Sequence, residues 1–117
     1  MKDKISIITP MYNSAEFIDD YFGSVLKQDY DNFEVIVVDD ASSDKSWDLC
    51  RQYGMKDKRV KLLKNEKNIG AAATRNKALQ VATGKFITFI DSDDTVQKNM
   101  LSFLMNMMDD SVDIVYC

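Results

Sequence analysis

An α/β fold with a mainly parallel sheet is what the sequence predicts, and three observations carry it. Five short runs read as strands, and several of them are close to continuously apolar, as suits strands covered on both faces. Helical patterns lie between them without interruption. A polar cluster follows each of the first four strands, on the rim where parallel sheets hold their ligands.

The strands are "ISIIT" (5–9), "FEVIVVD" (33–39), "RVKLL" (59–63), "KFITFID" (85–91) and "VDIVYC" (112–117). Ile18, Tyr21, Phe22 and Val25 form an apolar stripe at i, i+3, i+4, i+7, and Leu101, Leu104, Met105 and Met108 form another. Residues 45–54, with Trp47 and Cys50, give a weaker version. The Ala-rich segment 71–82 has strong helix propensity, and Gly84 in "TGK" is expected to close it in a left-handed cap. The rim clusters are "TPMYN", "DDASSD", "NEKNIGAA" and "DSDD".

The 117 residues fit one domain with one core, and 45% apolar with 29% charged residues is ordinary for a soluble chain. A net charge of −4 argues against a nucleic-acid partner, which needs a basic face, but leaves room for a single nucleotide. "MKDKISII" has no signal-like apolar region, and no run reaches the length of a membrane span. Cys50 and Cys117 make neither a disulfide framework nor a zinc site, so a reducing cytoplasm is the expected compartment. Histidine is absent, which removes Ser-His-Asp chemistry and His-ligated zinc together. Any metal should be a hard ion held by oxygen.

Each rim cluster has a structural and a functional reading. Asn13 reads as a helix N-cap with Glu16 closing a capping box and Tyr12 packing on Phe17 as a staple. The Tyr12 ring, placed by Pro10, can instead stack on a base. Ser43 or Asp44 can cap the next helix, which leaves Asp39 and Asp40 without that duty. Asp40, farther out, is the better candidate to accept hydrogen bonds from a base or ribose. Arg75 interrupts the face shared by Ala71, Ala78 and Ala82 and opposes the helix dipole early in its helix. Broken local rules of this kind mark functional positions; snorkelling to solvent or pairing with a structural aspartate is the alternative. Asp94 or Thr95 is expected to cap the helix carrying Leu101 and Leu104. Asp91 and Asp93, one residue apart, could then reach a single Mg²⁺ or Mn²⁺ that cancels their repulsion and bridges to a diphosphate.

In this order and spacing, "ISIITPMYN", "VIVVDDASSD", "NIGAAATRN" and "GKFITFIDSDD" resemble the donor-binding half of family 2 inverting glycosyltransferases, over essentially the whole chain. The resemblance implies a Rossmann-like GT-A fold, with residues 1–117 as its nucleotide-sugar-binding half. It implies that Pro10, Tyr12 and Asp40 contact the donor nucleoside, with Arg75 near the pocket. Asp91-Ser92-Asp93 becomes a DxD-type motif, Asp93 the principal metal ligand and Asp91 directed to ribose or metal. The implied cofactor is Mn²⁺ or Mg²⁺, the donor a UDP-sugar, and the acceptor a saccharide or glycoconjugate at the cytoplasmic face of a membrane. In that family an acidic general base follows the fifth strand region, whereas this sequence stops at Cys117 inside that strand. The base and the acceptor half are therefore expected outside residues 1–117. An open sheet edge with a tendency to dimerise should result.

Two other readings compete. "FITFIDSDDTV" also fits a haloacid-dehalogenase-type phosphatase, with Asp91 as nucleophile and Asp93 as acid–base, but few residues follow to supply its remaining groups. A nucleotide-binding module without turnover is the non-enzymatic alternative.

Overall fold

The computed structural model describes residues 3–107 and 114–116. Met108, Val112, Asp113 and Cys117 of the expected last helix and strand lie outside them. The elements are β1 (Ile5–Met11), α1 (Ile18–Val25), β2 (Phe33–Asp39), α2 (Ser46–Lys56), β3 (Val60–Lys64), α3 (Ala71–Val81), β4 (Phe86–Phe89), α4 (Met100–Met107) and β5 (Ile114–Tyr116). All pairings are parallel and the strand order is β3-β2-β1-β4-β5. The expected α/β alternation is the one found.

β1 and β2 are buried along nearly their whole length, because side chains of both faces meet cover. One face carries Ile5, Ile7, Met11, Val35 and Val37 against α1, α2 and α4, with Tyr21, Phe22, Cys50 and Leu101 in the same core. The other carries Ile8, Ile36 and Val38 against Ala78 of α3. Phe22 stacks on Tyr53 at 4.4 Å and meets Tyr21 edge-on, which locks α1 to α2.

The strand order reverses at β1, whose neighbours are β2 on one side and β4 on the other. Such a reversal leaves a crevice beyond the strand ends, since successive crossovers leave in opposite directions. Pro10 sharpens it. Pro10 lies inside β1, paired with Val38, rather than in a turn after it. Ile90 donates its N–H to the Ile8 carbonyl at 3.1 Å, so the next rung of a parallel ladder would run from residue 10 to the Ile90 carbonyl. Proline has no N–H to give. The Thr9 hydroxyl takes that carbonyl instead, at 2.7 Å. The β1–β4 ladder stops there and the strands part.

Several expected helix signals are corrected. α1 begins at Ile18 with Phe17 as N-cap and no side-chain cap. Asn13 sits in the left-handed region (φ 48°) and its carboxamide oxygen accepts from the Ser43 N–H at 2.8 Å. The box with Glu16 and the Tyr12–Phe17 staple therefore do not form the helix start. α4 begins at Met100, too late for Asp94 or Thr95 to cap it. Gln28, in the segment after α1 that runs beside the start of α4, supplies the cap, its Oε1 accepting from the Leu101 N–H at 2.9 Å. Asp44 does receive the Ser46 N–H at the start of α2, at 2.9 Å. In α3 the buried face is Thr74 and Ala78, while Ala71 is exposed. Gly84 has no positive φ, and Ala82 ends α3 in extended conformation. The glycine is needed for proximity: a Cβ there would lie 2.6 Å from the Ser6 backbone nitrogen.

Candidate active site

A cleft of about 410 Å³ opens at the switch point between the ends of β1 and β4. Pro10, Tyr12, Asp40, Arg75, Asp91, Ser92 and Asp93 all line it. The structure thus brings the residues that the resemblance assigned to the donor and the metal to one cavity.

Tyr12 leaves the end of β1 and is 51% exposed, which leaves a ring face free for a planar partner. Its loop is held from below. The Asn13 N–H donates to Ser42 Oγ at 2.9 Å, Ser14 N–H to Ser46 Oγ at 2.7 Å and Ala15 N–H to Asp44 at 3.2 Å. The β2–α2 loop therefore seats the β1–α1 loop.

Asp40 is 4% exposed. Its Oδ1 accepts from the Ile69 N–H at 2.8 Å and from Asn65 Nδ2 at 2.9 Å, and its Oδ2 from the Gly70 N–H at 2.9 Å. Gly70 can turn its N–H inward because it takes φ 92°, just before α3 starts. Burial pushes the Asp40 carboxyl up, but these bonds outweigh burial and hold it below the ordinary aspartate range. Asp40 is thus a keystone of the cleft wall, anchoring the loop before α3 by its N-terminal donors. The sequence reading missed that duty.

The opposite wall is the turn 91–94, closed by the Asp94 N–H on the Asp91 carbonyl at 3.1 Å. Ser92 points inward and is buried, its hydroxyl 2.6 Å from that of Ser14. Asp91, Asp93 and Asp94 point outward, and each offers a carboxylate oxygen within 4.8 Å of the others. Asp94, expected to be a helix cap, joins the acidic group instead. Partial burial and the charges of Asp93 and Asp91 push its carboxyl up. Such a set is all oxygen, compact and short of positive charge, which fits a hard divalent ion. The described counter-charge is Arg75, whose Nη2 lies 3.4 Å from Asp91 Oδ1 in an exposed pair. At that distance and exposure it contributes little stability. Beyond Asp94 a second hollow of about 580 Å³ opens against Ile90, Val96, Met100 and Phe103.

The Glycosyl transferase family 2 profile matches residues 6–117. The chain belongs to that family. It is 46% identical over 104 residues to WfgD of Escherichia coli, a UDP-Glc:alpha-D-GlcNAc-diphosphoundecaprenol beta-1,3-glucosyltransferase, covering 89% of this chain and 40% of WfgD. Among solved structures it resembles residues 1–349 of S. aureus TarS in complex with UDP-GlcNAc, at 39% identity and TM-score 0.82, covering 88% of this chain and 30% of the other. It also resembles the mannosyltransferase PcManGT of Pyrobaculum calidifontis in complex with GDP-Man and Mn²⁺, at 28% identity and TM-score 0.88, covering 96% and 34%. The chain spans roughly a third to two-fifths of the length of such relatives. The Rossmann-like GT-A fold class expected from the resemblance holds, and the phosphatase alternative is set aside by the family match.

Two features of the site had no motif to announce them. Ser14 and Ser46 are small polar residues of a kind that any loop contains. Asn65 lies within "NEKNIGAA", but its buried bond to Asp40 depends on two loops meeting.

Proposed function

We propose that this chain forms the nucleotide-sugar-binding half of a glycosyltransferase that moves a sugar from a UDP-sugar to an acceptor hydroxyl with inversion. The observation that carries the reading is the single cleft lined by an exposed aromatic ring and by Asp91 and Asp93, with the Asp94 carboxylate clustered beside them. A nucleoside diphosphate has complementary parts: a planar base for Tyr12 and a polyanion that needs a cation between itself and the aspartates. UDP as the nucleotide is supported by the UDP-GlcNAc complex of TarS and the UDP-Glc donor in the name of WfgD.

Tyr12 stacks on the base and Pro10 fixes where β1 releases it. Asp40 keeps the loop before α3 against the nucleoside side, and Arg75 stands between that side and Asp91. Asp93, with Asp91, would hold Mn²⁺ or Mg²⁺; the PcManGT complex with Mn²⁺ supports the choice of ion. Such an ion offsets charge on the departing diphosphate. Inverting transfer also needs a base within reach of the acceptor hydroxyl. We assign that base and the acceptor site to the part of the relatives' length that this chain does not span. Glycoconjugate or polysaccharide assembly at a cytoplasmic membrane face is the setting this reading proposes. Among the described residues no helix is long and apolar enough to cross a membrane.

The chain should bind UDP saturably with Mn²⁺ present, in competition with UDP-GlcNAc, and should release no UDP in an acceptor-dependent way from UDP-sugars offered with simple saccharides. Lack of saturable UDP binding at about 1 mM, the weak end of ordinary substrate affinities, contradicts the nucleotide assignment. Acceptor-dependent turnover by this chain contradicts the placement of the base.

A further inference from the structure

The two walls of the cleft are joined by one pair of buried hydroxyls. Ser14 belongs to the loop that presents Tyr12, and Ser92 is the inward residue of the acidic turn. Their oxygens are 2.6 Å apart, and Ser14 Oγ is 3.3 Å from the Tyr12 carbonyl. Both distances are met when Ser92 donates to Ser14 and Ser14 donates onward to the Tyr12 carbonyl. Among the described residues this is the hydrogen bond that connects the 12–15 loop to the 91–94 turn. The Ser14 side of it is anchored, since the N–H groups of Asn13, Ser14 and Ala15 donate to Ser42, Ser46 and Asp44.

We infer that Ser14 is a positioning residue that couples the nucleoside wall to the acidic wall, so that filling one raises the affinity of the other. The inference rests on the proposed nucleotide and metal reading of the cleft. The three carboxylates repel one another, and among the described residues the turn is held by the Ser92 hydroxyl, its own closing bond and the exposed Arg75–Asp91 pair, of which the Ser92 hydroxyl is the buried one. With the hydroxyl relay intact, ordering Tyr12 on a base also orders the turn that must hold the ion. Without it, the ion must order the turn unaided. Coupling of this kind is reciprocal and commonly amounts to about 5–150-fold in affinity.

The test measures UDP affinity with and without Mn²⁺ by calorimetry in the wild-type chain, Ser14→Ala, Ser92→Ala and the double variant. Electron paramagnetic resonance follows the binding of Mn²⁺ alone. We expect the Mn²⁺ enhancement of UDP affinity to fall by about fivefold or more in each single variant, leaving the part that comes from the ion's direct contact with the diphosphate. The double variant should lose no more than either single, because all three break the same link. Ser14→Thr, which keeps the hydroxyl, should keep the enhancement. An enhancement retained in Ser14→Ala beside a lowered melting temperature assigns Ser14 a merely structural role and overturns the inference. So do additive losses in the double variant. Should Ser14→Ala fail to fold, Ser92→Ala reads the same link from the exposed turn. If the wild-type chain shows no Mn²⁺ enhancement, the metal reading falls and this inference falls with it. Enhancement in the wild type that survives undiminished in both alanine variants defeats the inference alone.

Discussion

Asp40 and the Asp91–Asp93 pair line one cleft, with Asp94 clustered beside the pair, all at the carboxyl ends of parallel strands, and their surroundings are opposite. Asp40 is buried and takes three hydrogen bonds within 2.9 Å, two of them from backbone N–H groups. The three acids after β4 are exposed, lie close together, and among the described residues meet one guanidinium, that of Arg75, 3.4 Å from Asp91 in an exposed pair. The loop that returns to each strand end makes the difference. Gly70 folds the entry of α3 back over Asp40, whereas the 91–94 turn directs its carboxylates away from the protein. The satisfied acid shapes the cleft, and the unsatisfied acids are left for something that arrives from solution.

The largest contrast should appear in stability. Asp40→Ala leaves the Ile69 and Gly70 N–H groups without their acceptor in a buried place and should cost about 3 kcal/mol or more. Asp94→Ala removes a repulsive charge from an exposed turn and should leave stability within about 0.5 kcal/mol or raise it slightly. Chemical denaturation of both variants decides it, and equal losses would erase the contrast.

Acid should sharpen it with opposite signs. Glu34, buried near the start of β2, is held to about 2 rather than the ordinary 4.5: burial raises it, but bonds from Lys61, Ser6 and Thr83 win. Its folded value lies below its unfolded one, so its contribution is complete above about pH 4.5 and is lost as pH falls through about 2. The shift corresponds to about 3 kcal/mol. Asp40 acts in the same direction. Asp94 is raised, so its penalty is present at neutral pH and disappears as the pH falls and it gains its proton. Denaturation from pH 7 to pH 2 should show a net loss that Glu34→Gln flattens and Asp94→Asn steepens. A profile untouched by Glu34→Gln would mean that the buried clasp is not ionised.

A smaller effect concerns the nucleoside wall. Tyr12→Leu should weaken UDP binding by about 1–3 kcal/mol, the range for base–aromatic stacking, taken here by analogy with nucleic-acid sites. With the ring half exposed, the melting temperature should barely move. Unchanged affinity beside lost stability would make Tyr12 a packing residue.

The strands and the cleft were legible because both depend on local pattern. Runs such as "VIVVD" state their burial on both faces, and the motif at each strand end states what reaches the rim. Helix starts were not legible, because their caps come from elsewhere. Leu101 is capped by Gln28, 73 residues earlier, while Asn13, a strong N-cap by type, is drawn to Ser43. Gly84 looked like a helix cap and is a contact point for β1. Glu34 was a visible anomaly left unread, a carboxylate near the start of an interior strand, ahead of the apolar run 35–38. Its partners lie on three separate segments: Lys4 and Ser6 at the start of β1, Lys61 in β3 and Thr83 after α3.

The account turns on the exposed acids holding a divalent ion that in turn holds the diphosphate, and Asp93→Asn tests that directly. Calorimetry of UDP with and without Mn²⁺ should show tighter binding with the ion in the wild-type chain. In Asp93→Asn the enhancement should vanish while the folded state is kept, because the side chain is exposed. An Asp93→Asn chain that gains as much from Mn²⁺ as the wild type would contradict the metal site, and with it the division of labour between the two walls.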